Sequence, residues 1–126
     1  MDKVVHFEIP VDDVDRARSF YGTVFEWGIQ PMEGWDYTIA MTTPVDETTQ
    51  MPTEPGAING GIMNRTKDTP APVITIQVGS IDEALKKVEA EGGSTVQPRT
   101  EIPNMGAFAY FKDSEGNTLG LWETFG

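Results

Sequence analysis

Polar and apolar residues alternate along the first strand-like stretch of the chain. Residues 4–11 read VVHFEIPV, which places His6 and Glu8 on one face, whereas the other face is wholly apolar through Val5, Phe7, Ile9 and Val11. Successive side chains of a strand point to opposite faces, and the apolar face is therefore expected to contact a helix. The only histidine of the chain then lies on the opposite face, together with Glu8.

Two stretches with helical periodicity follow strand-like runs. Near residues 13–27, Asp12 or Asp13 can cap a helix that ends at Gly28, with an apolar stripe of Val14, Ala17, Phe20, Tyr21 and Val24. Near residues 80–91, after the β-branched run 73–78, Ser80 and Glu83 form a capping-box pattern, and the stripe is Ile81, Ala84, Leu85 and Val88. The pattern predicts two amphipathic helices, each preceded by a strand.

The two strand–helix units look like copies of one another, because Val11, Val14, Asp15 and Ala17 recur in order as Val78, Ile81, Asp82 and Ala84. Further strand signals are WDYTIAMTT and AINGGIMNR after the first helix, then STVQP, AFAYFKD and NTLGLWE after the second, with SEGN as a turn. We predict an α+β fold in which two βαβββ modules, residues 1–66 and 70–126, form one domain and join through one mixed sheet. Residues 44–56 are expected to be a long loop.

Composition and charge narrow the possible partners. The chain of 126 residues suits one domain, lacks cysteine and has no apolar run long enough to cross a membrane, so a cytoplasmic protein without membrane partners is expected. Nine basic residues against twenty acidic ones give a net charge of −11, which disfavours nucleic acid. Neither a glycine-rich phosphate loop nor a nucleophile elbow is present.

The segments HFEIPVDDVDRARSFYGTVFEWG, GGIM and EIPNMGAFAYFKDSEGNTLGLWE carry a family resemblance. They resemble the glyoxalase/bleomycin-resistance/ring-cleaving dioxygenase superfamily, whose fold is the vicinal oxygen chelate fold. More narrowly, they are similar to a branch of small proteins related to lactoylglutathione lyase. The resemblance covers nearly the whole chain. It implies that the sheets curl into a cup with the helices on the outer face.

The resemblance also implies where a metal ion would bind. The four ligand positions of metal-dependent members fall on His6, Gly61, Val73 and Gly120. Of these only His6 can coordinate a cation, Glu8 adds at best one carboxylate, and strand parity points Glu123 out of the cup. We therefore predict no metal and no other cofactor, with at most a weakly bound divalent ion at His6.

A cup without a metal site leaves room for an organic ligand. Glycine stands where ligands of a metal would be, and the expected lining is apolar and aromatic, as in many small-molecule sites. The candidate lining residues are Tyr37, Met41, Met63, Val73, Thr75, Tyr110 and Trp122.

Two functions from different classes fit this pattern. The first is a metal-independent binding protein for an aromatic or cationic small molecule. The second is a small isomerase, epimerase or lyase that uses His6 and Glu8 as acid and base. A third interpretation is purely structural, with His6 as a hydrogen-bonded core residue and Glu8 as its partner.

Aromatic residues outside the two modules' patterns point to self-association. They are Phe25, Trp27, Trp35 and Phe125. If they are exposed, they form an apolar patch, which isologous pairing of two copies would bury. We therefore predict a homodimer.

Overall fold

The chain is α+β in the computed structural model, which describes residues 1–125. Within them lie two helices and eight strands, in the order β1 (Lys3–Val11), α1 (Val14–Val24), β2 (Gly28–Pro31), β3 (Thr38–Met41), β4 (Asn59–Asn64), β5 (Val73–Gln77), α2 (Ile81–Ala90), β6 (Ser94–Ile102), β7 (Gly106–Lys112) and β8 (Thr118–Thr124). The predicted βαβββ order is thus confirmed in both modules. Neither helix has the length and apolar character that crossing a bilayer requires.

Residues His6–Pro72 form one compact unit. Its strands lie in the order β2–β3–β4–β1, and β4 pairs with β1 in parallel while the other neighbours are antiparallel. Helix α1 covers one face of these strands. The apolar residues between helix and strands are Ile9, Val11, Val14, Ala17, Tyr21, Trp27, Ile29, Ala40 and Ile62. The apolar face of β1 therefore contacts the helix, as its alternation predicted.

A second compact unit joins Met1–Val5 with the chain from Val73 onward. The order of β5–β8–β7–β6 repeats the mixed pattern of the first unit, since β5 pairs with β8 in parallel and the remaining pairs are antiparallel. Helix α2 buries Ile81 and Leu85 against the strands. Their neighbours in this core are Val78, Ala107, Ala109, Phe111 and Leu121.

Both helices begin at the predicted capping residues. The Asp13 carboxylate accepts a hydrogen bond from the backbone N–H of Arg16 at 3.0 Å, and the Ser80 hydroxyl accepts one from the N–H of Glu83 at 3.2 Å. These bonds satisfy N–H groups that have no partner inside a helix. The Glu83 carboxylate pairs with Lys86.

The first helix ends earlier than its sequence pattern suggested. Its last residue is Val24, and Glu26 adopts a positive φ of 59°, which turns the chain out of the helix before Gly28. Gly28 instead begins β2, a strand that the sequence analysis missed because it has four residues with glycine and proline at its ends. The predicted stop at Gly28 was therefore wrong.

The apolar stripe of α1 is also narrower than predicted. Val14, Ala17 and Tyr21 pack on the strands, whereas Phe20 and Val24 remain 53% and 52% exposed. The helix is only three turns long and its contact surface is already filled by the other three residues. Phe20 and Val24 consequently form an outer apolar surface.

The segment 44–56 contains no helix or long strand, in agreement with the loop prediction, and its one bridge joins Val45 to Pro52. Asn59 holds the two ends of this loop together. Its side-chain oxygen accepts hydrogen bonds from the backbone N–H of Thr42 at 2.7 Å and of Thr43 at 3.0 Å. The loop thus leaves and re-enters the strands at one point, beside the start of β4.

Glu123 joins the start of α2 to the strands of its unit. One carboxylate oxygen accepts a hydrogen bond from the N–H of Ile81 at 2.7 Å, and the other accepts one from Arg99 at 3.0 Å. The bonds to Arg99 and to Ile81 lower the pKa of Glu123 below its ordinary value. The side chain points toward the helix, which agrees with the predicted strand parity.

A Glu123→Gln variant should be less stable than the wild type at neutral pH, with the difference shrinking in acid. Because the pKa is lowered in the folded state, the unfolded chain takes up this proton first as the pH falls. The stabilising contribution is complete above the ordinary value of 4.5 and is lost as the pH falls through the folded value. Denaturant unfolding at a series of pH values measures it.

The matched control is Glu101→Gln, because Glu101 also contacts Arg99, at 3.4 Å, but is exposed and does not reach the helix. It should leave the pH dependence close to that of the wild type. A Glu123→Gln destabilisation of equal size at every pH would contradict the assignment.

Candidate functional site

The only histidine of the chain is hydrogen-bonded to a tyrosine on the strand face opposite α1. His6 Nε2 lies 2.6 Å from the hydroxyl oxygen of Tyr37, which directly precedes β3. The two rings are inclined by 16°, with their centroids 6.3 Å apart. Which group donates depends on the imidazole tautomer. The bond joins a side chain of β1 to one in the turn before β3, both within the His6–Pro72 unit.

Gly61 provides the space for the tyrosine ring. A Cβ atom added at Gly61 would overlap the Tyr37 ring and hydroxyl, so any side chain at this position would displace the phenol. Gly61 pairs with Glu8 in the parallel β1–β4 ladder, and so lies on the same face as His6 and Glu8. The Tyr37 phenol therefore fills the volume that a side chain at position 61 would occupy.

The neighbouring glycine serves the other face of the strand. A Cβ at Gly60 would lie 2.5 Å from atoms of the Phe7 ring, on the side that carries α1. The Gly60–Gly61 pair thus allows a close approach of the β4 backbone to the Phe7 and Tyr37 rings. The β1–β4 register runs without interruption past both residues, so the pair is not a bulge.

Glu8 shapes the electrostatics around the imidazole. It is buried, with 7% of its surface exposed, and lies two residues from His6 on the same strand face. Burial lowers the pKa of His6 below 6.5, and the negative charge of Glu8 opposes this effect in part. The imidazole is consequently neutral at neutral pH. A neutral imidazole beside a carboxylate can accept or donate a proton, which is the chemistry of a general acid–base pair.

The side chains at the family's metal-ligand positions do not fit a divalent ion. In the His6–Pro72 unit, His6 Nε2 is engaged by Tyr37, and Gly61 offers no donor atom. In the other unit, Val73 is an apolar residue, and a Cβ at Gly120 would already lie 2.6 Å from the Thr75 hydroxyl. No group of three His, Asp or Glu side chains suited to a metal ion occurs in residues 1–125. This donor set falls short of the three or more ligands that such sites need.

Three aromatic residues form a surface in the unit that contains β5–β8, which we call the aromatic face: Phe108, Tyr110 and Trp122. Phe108 pairs with Trp122 and Tyr110 with Gly120 across the β7–β8 ladder. The Phe108 and Tyr110 ring centroids lie 5.9 Å apart. All three side chains are half-buried and point away from α2. The sequence analysis missed Phe108, although its two-residue spacing from Tyr110 places both on one strand face.

The other predicted lining residues divide between the two units. Met41 and Met63 lie on the His6 face of β3 and β4, where Met63 is 8% exposed. Val73 and Thr75 lie on the face of β5 away from α2 and are 1% and 6% exposed. The structure thus groups Tyr37, Met41 and Met63 with His6 and Glu8. It groups Val73 and Thr75 in the same unit as Tyr110 and Trp122.

A shallow depression of about 340 Å³ lies on the other side of the first unit, between the start of α1 and the ends of β1 and β4. Its walls include Phe20, Tyr21 and the ion pair between Arg65 and Asp12, which is 3.0 Å long. None of the predicted site residues lines it.

Both a family model and an individual protein sequence match this chain. Residues 3–43 match the family model described as bleomycin resistance protein-like N-terminal. A glyoxylase-like domain-containing protein of Didymella fabae is 31% identical over 120 residues, which is 90% of this chain and 88% of that protein.

Solved structures show the same fold at low sequence identity. A hypothetical protein of Bacillus halodurans has a TM-score of 0.64 at 15% identity, covering 99% of this chain and 96% of that one. Methylmalonyl-CoA epimerase of Streptomyces coelicolor, in complex with 2-nitronate-propionyl-CoA, has a TM-score of 0.64 at 13% identity and covers 98% of both chains. The epimerase of Mycobacterium tuberculosis has a TM-score of 0.60 at 15% identity, covering 98% of this chain and 88% of that one.

Titration of the only histidine tests the electrostatics of the site. The pKa of His6, followed by NMR, should lie below 6.5 in the wild type and lower still in a Glu8→Gln variant. The substitution removes the negative charge that favours the imidazolium, while burial continues to oppose it.

Asp12→Asn is the control, since Asp12 is exposed, lies at the end of the same strand segment and pairs with Arg65. It should leave the His6 titration unchanged. A rise of the His6 pKa in Glu8→Gln would show that the carboxylate acts differently from this description.

Proposed function

Because the chain belongs to the glyoxalase/bleomycin-resistance superfamily of vicinal oxygen chelate proteins, we propose that it binds a small organic molecule without a metal ion. The observation that carries this proposal is the 2.6 Å hydrogen bond between His6 and Tyr37, with the tyrosine ring lying against Gly61. The Tyr37 ring thus fills the space that a metal ion and its ligands would need. Its hydroxyl engages the histidine that would bind the ion. The site is built for hydrogen bonding and packing.

The aromatic surface of the β5–β8 unit supports an aromatic or cationic ligand. The aromatic face of Phe108, Tyr110 and Trp122 offers flat apolar surfaces of the kind that bind rings and cations. The net charge of −11 favours the approach of cations over that of anions. A small-molecule ligand is also in keeping with the epimerase relatives, whose structures hold acyl-CoA compounds.

An enzymatic function is the second candidate, and it rests on the His6–Glu8 pair. The neutral imidazole of His6 can accept a proton at neutral pH, and the negative charge of buried Glu8 stabilises the imidazolium that results. An isomerase or lyase acting on an oxygenated substrate could use the two residues as acid and base. In an isomerisation the proton leaves one carbon and returns to the same molecule. In a lyase reaction the proton leaves a carbon, the bond from the neighbouring carbon to the leaving group breaks, and the leaving group takes the proton, so neither reaction needs another reactant.

Metal removal and ligand binding test the proposal together. After dialysis against a chelator, elemental analysis should find far less than one divalent ion per chain. Ligand-observed NMR against small aromatic and cationic compounds should then give the same binders before and after dialysis. The reason is that the site lacks a ligand set that could hold a metal tightly.

The His6→Ala variant separates the two candidate functions. Loss of turnover with ligand binding retained would favour the enzyme, whereas weakened binding without any turnover in the wild type would favour the binding protein. About one zinc, nickel, manganese or iron per chain after dialysis, or binding that disappears with the metal, would refute metal independence.

We also propose that the protein is a homodimer that pairs through the outer surface of α1. Phe20, Val24 and Phe25, which we call the α1 patch, are 53%, 52% and 55% exposed, and the Phe20 and Phe25 rings lie 6.5 Å apart. The helix carries two arginines and one aspartate on an otherwise strongly acidic chain. A second copy can therefore approach this surface with little of the repulsion that acts elsewhere.

Of the aromatics that suggested a dimer, one has a different role. Trp35 and Phe125 are 48% and 43% exposed. Trp27, however, is half-buried and stacks on Tyr21 at 5.0 Å with an interplanar angle of 9°. The expectation that Trp27 is left over for association was therefore wrong, because it completes the core beneath α1.

Light scattering should give a mass of twice 13.9 kDa for the wild type at micromolar concentration. A double variant Phe20→Glu/Phe25→Glu should be monomeric, since two carboxylates facing their own copies in a symmetric interface repel each other. Met51→Glu is the control, because Met51 is 58% exposed on the 44–56 loop. A wild-type species of 13.9 kDa would refute the dimer.

The absence of cysteine fits a reducing compartment, and a cytoplasmic location stays a prediction on that ground.

A further inference from the structure

We propose that the Tyr37 side chain is an internal ligand of His6, and that it holds the place which a hydroxyaryl group of the bound molecule takes when Tyr37 is displaced. This inference rests on the proposed function, because it names the chemical class that the His6 face recognises. It also gives Tyr37 a role other than that of an immobile residue lining the ligand site.

The space that the Tyr37 ring occupies beside Gly61 and His6, which we call the niche, has the shape of a phenol. Gly61 supplies a flat surface for the ring, because a Cβ there would overlap it. His6 Nε2 stands at the hydroxyl end of the ring, 2.6 Å from the oxygen. A glycine surface beneath the ring and an imidazole nitrogen at its para position are the two features that recognition of a para-substituted phenol requires.

The charges around the niche favour a neutral hydroxyl over an anion. Buried Glu8 lies on the same strand face as His6, and its negative charge would repel a carboxylate or a phosphate. The imidazole is neutral because it is buried, so it offers a hydrogen bond and no positive charge. A hydroxyaryl group satisfies both conditions, since it is uncharged and its hydroxyl can both donate and accept.

The position of Tyr37 in the chain allows the ring to leave. Tyr37 ends the exposed turn between β2 and β3, which is held by backbone hydrogen bonds from Met32 N–H to Tyr37 at 2.9 Å and from Trp35 N–H to Met32 at 3.2 Å. The next residue, Thr38, is fully buried and accepts a hydrogen bond from Arg18 at 2.8 Å. Displacement can therefore be confined to the Tyr37 side chain and the turn, while β3 stays in place.

The experiment empties the niche and offers it a replacement phenol. The probe is p-cresol, which is the tyrosine side chain as a free molecule, and the readout is the NMR signal of the only histidine. A Tyr37→Gly variant should bind p-cresol at least about tenfold more tightly than the wild type does, as a cavity created by truncation binds the group it lost. Bound p-cresol should also return the His6 signals toward their wild-type positions.

Two controls separate recognition from simple filling of a cavity. Tyr37→Phe keeps the ring and removes the hydroxyl, so it should bind p-cresol no better than the wild type does. Toluene lacks the hydroxyl and should bind to Tyr37→Gly more weakly than p-cresol. Equal p-cresol affinities of Tyr37→Gly and Tyr37→Phe, or equal affinities of Tyr37→Gly for p-cresol and toluene, would overturn the inference.

A second variant covers the case in which Tyr37→Gly does not fold. Gly61→Ala leaves Tyr37 in the chain but expels its ring from the niche. The His6 signals should then shift as they do in Tyr37→Phe, because both changes break the same hydrogen bond. Unchanged His6 signals in Gly61→Ala would show that the ring does not occupy the niche.

Failure of this inference and failure of the proposed function give different results. A metal-free wild-type protein that binds other compounds, combined with a Tyr37→Gly variant that ignores p-cresol, would overturn the internal-ligand inference alone. A wild-type protein that binds small molecules only with a metal would overturn the proposed function, whatever p-cresol does to Tyr37→Gly.

Discussion

The candidate site depends on one steric constraint, which is that residue 61 has no side chain. Only a glycine allows the Tyr37 ring to lie against β4, and only in that position does its hydroxyl reach His6 at 2.6 Å. Because β1 and β4 pair in parallel, the same ladder that sets Gly61 beside Glu8 also fixes His6 relative to the ring. A single Cβ atom at position 61 would thus change the hydrogen bonding and the packing of the site together.

The burial of this arrangement explains its electrostatics. His6 and Glu8 lie on one strand face, where removal from water disfavours the imidazolium. The lowered pKa of His6 shows that burial outweighs the attraction of Glu8. In place of a salt bridge, the imidazole then forms a hydrogen bond with a phenol.

The sequence pattern correctly predicted those elements that are specified by residues close together in the chain. Asp13 and Ser80 cap the helices because a side-chain oxygen reaches an N–H three residues away, which sequence spacing alone dictates. Strand β2 and the end of α1 were not predictable in this way. Gly28 reads equally well as a helix stop and as the first residue of an edge strand, and the backbone of Glu26, with its φ of 59°, decided between them. Trp27 belongs to the core for the same reason, since the early turn directs it onto Tyr21.

The sequence by itself determined the two repeated strand–helix units and the apolar face of β1, because periodicity and residue type carry that information without reference to distant residues. The tertiary structure alone decided that Tyr37 is the partner of His6. The two residues are 31 positions apart, one in β1 and the other in the turn before β3, so their contact depends on strand register and on the absent side chain of Gly61. Nothing in the local pattern around Tyr37 encodes that register, since it arises only when β3, β4 and β1 pair with one another.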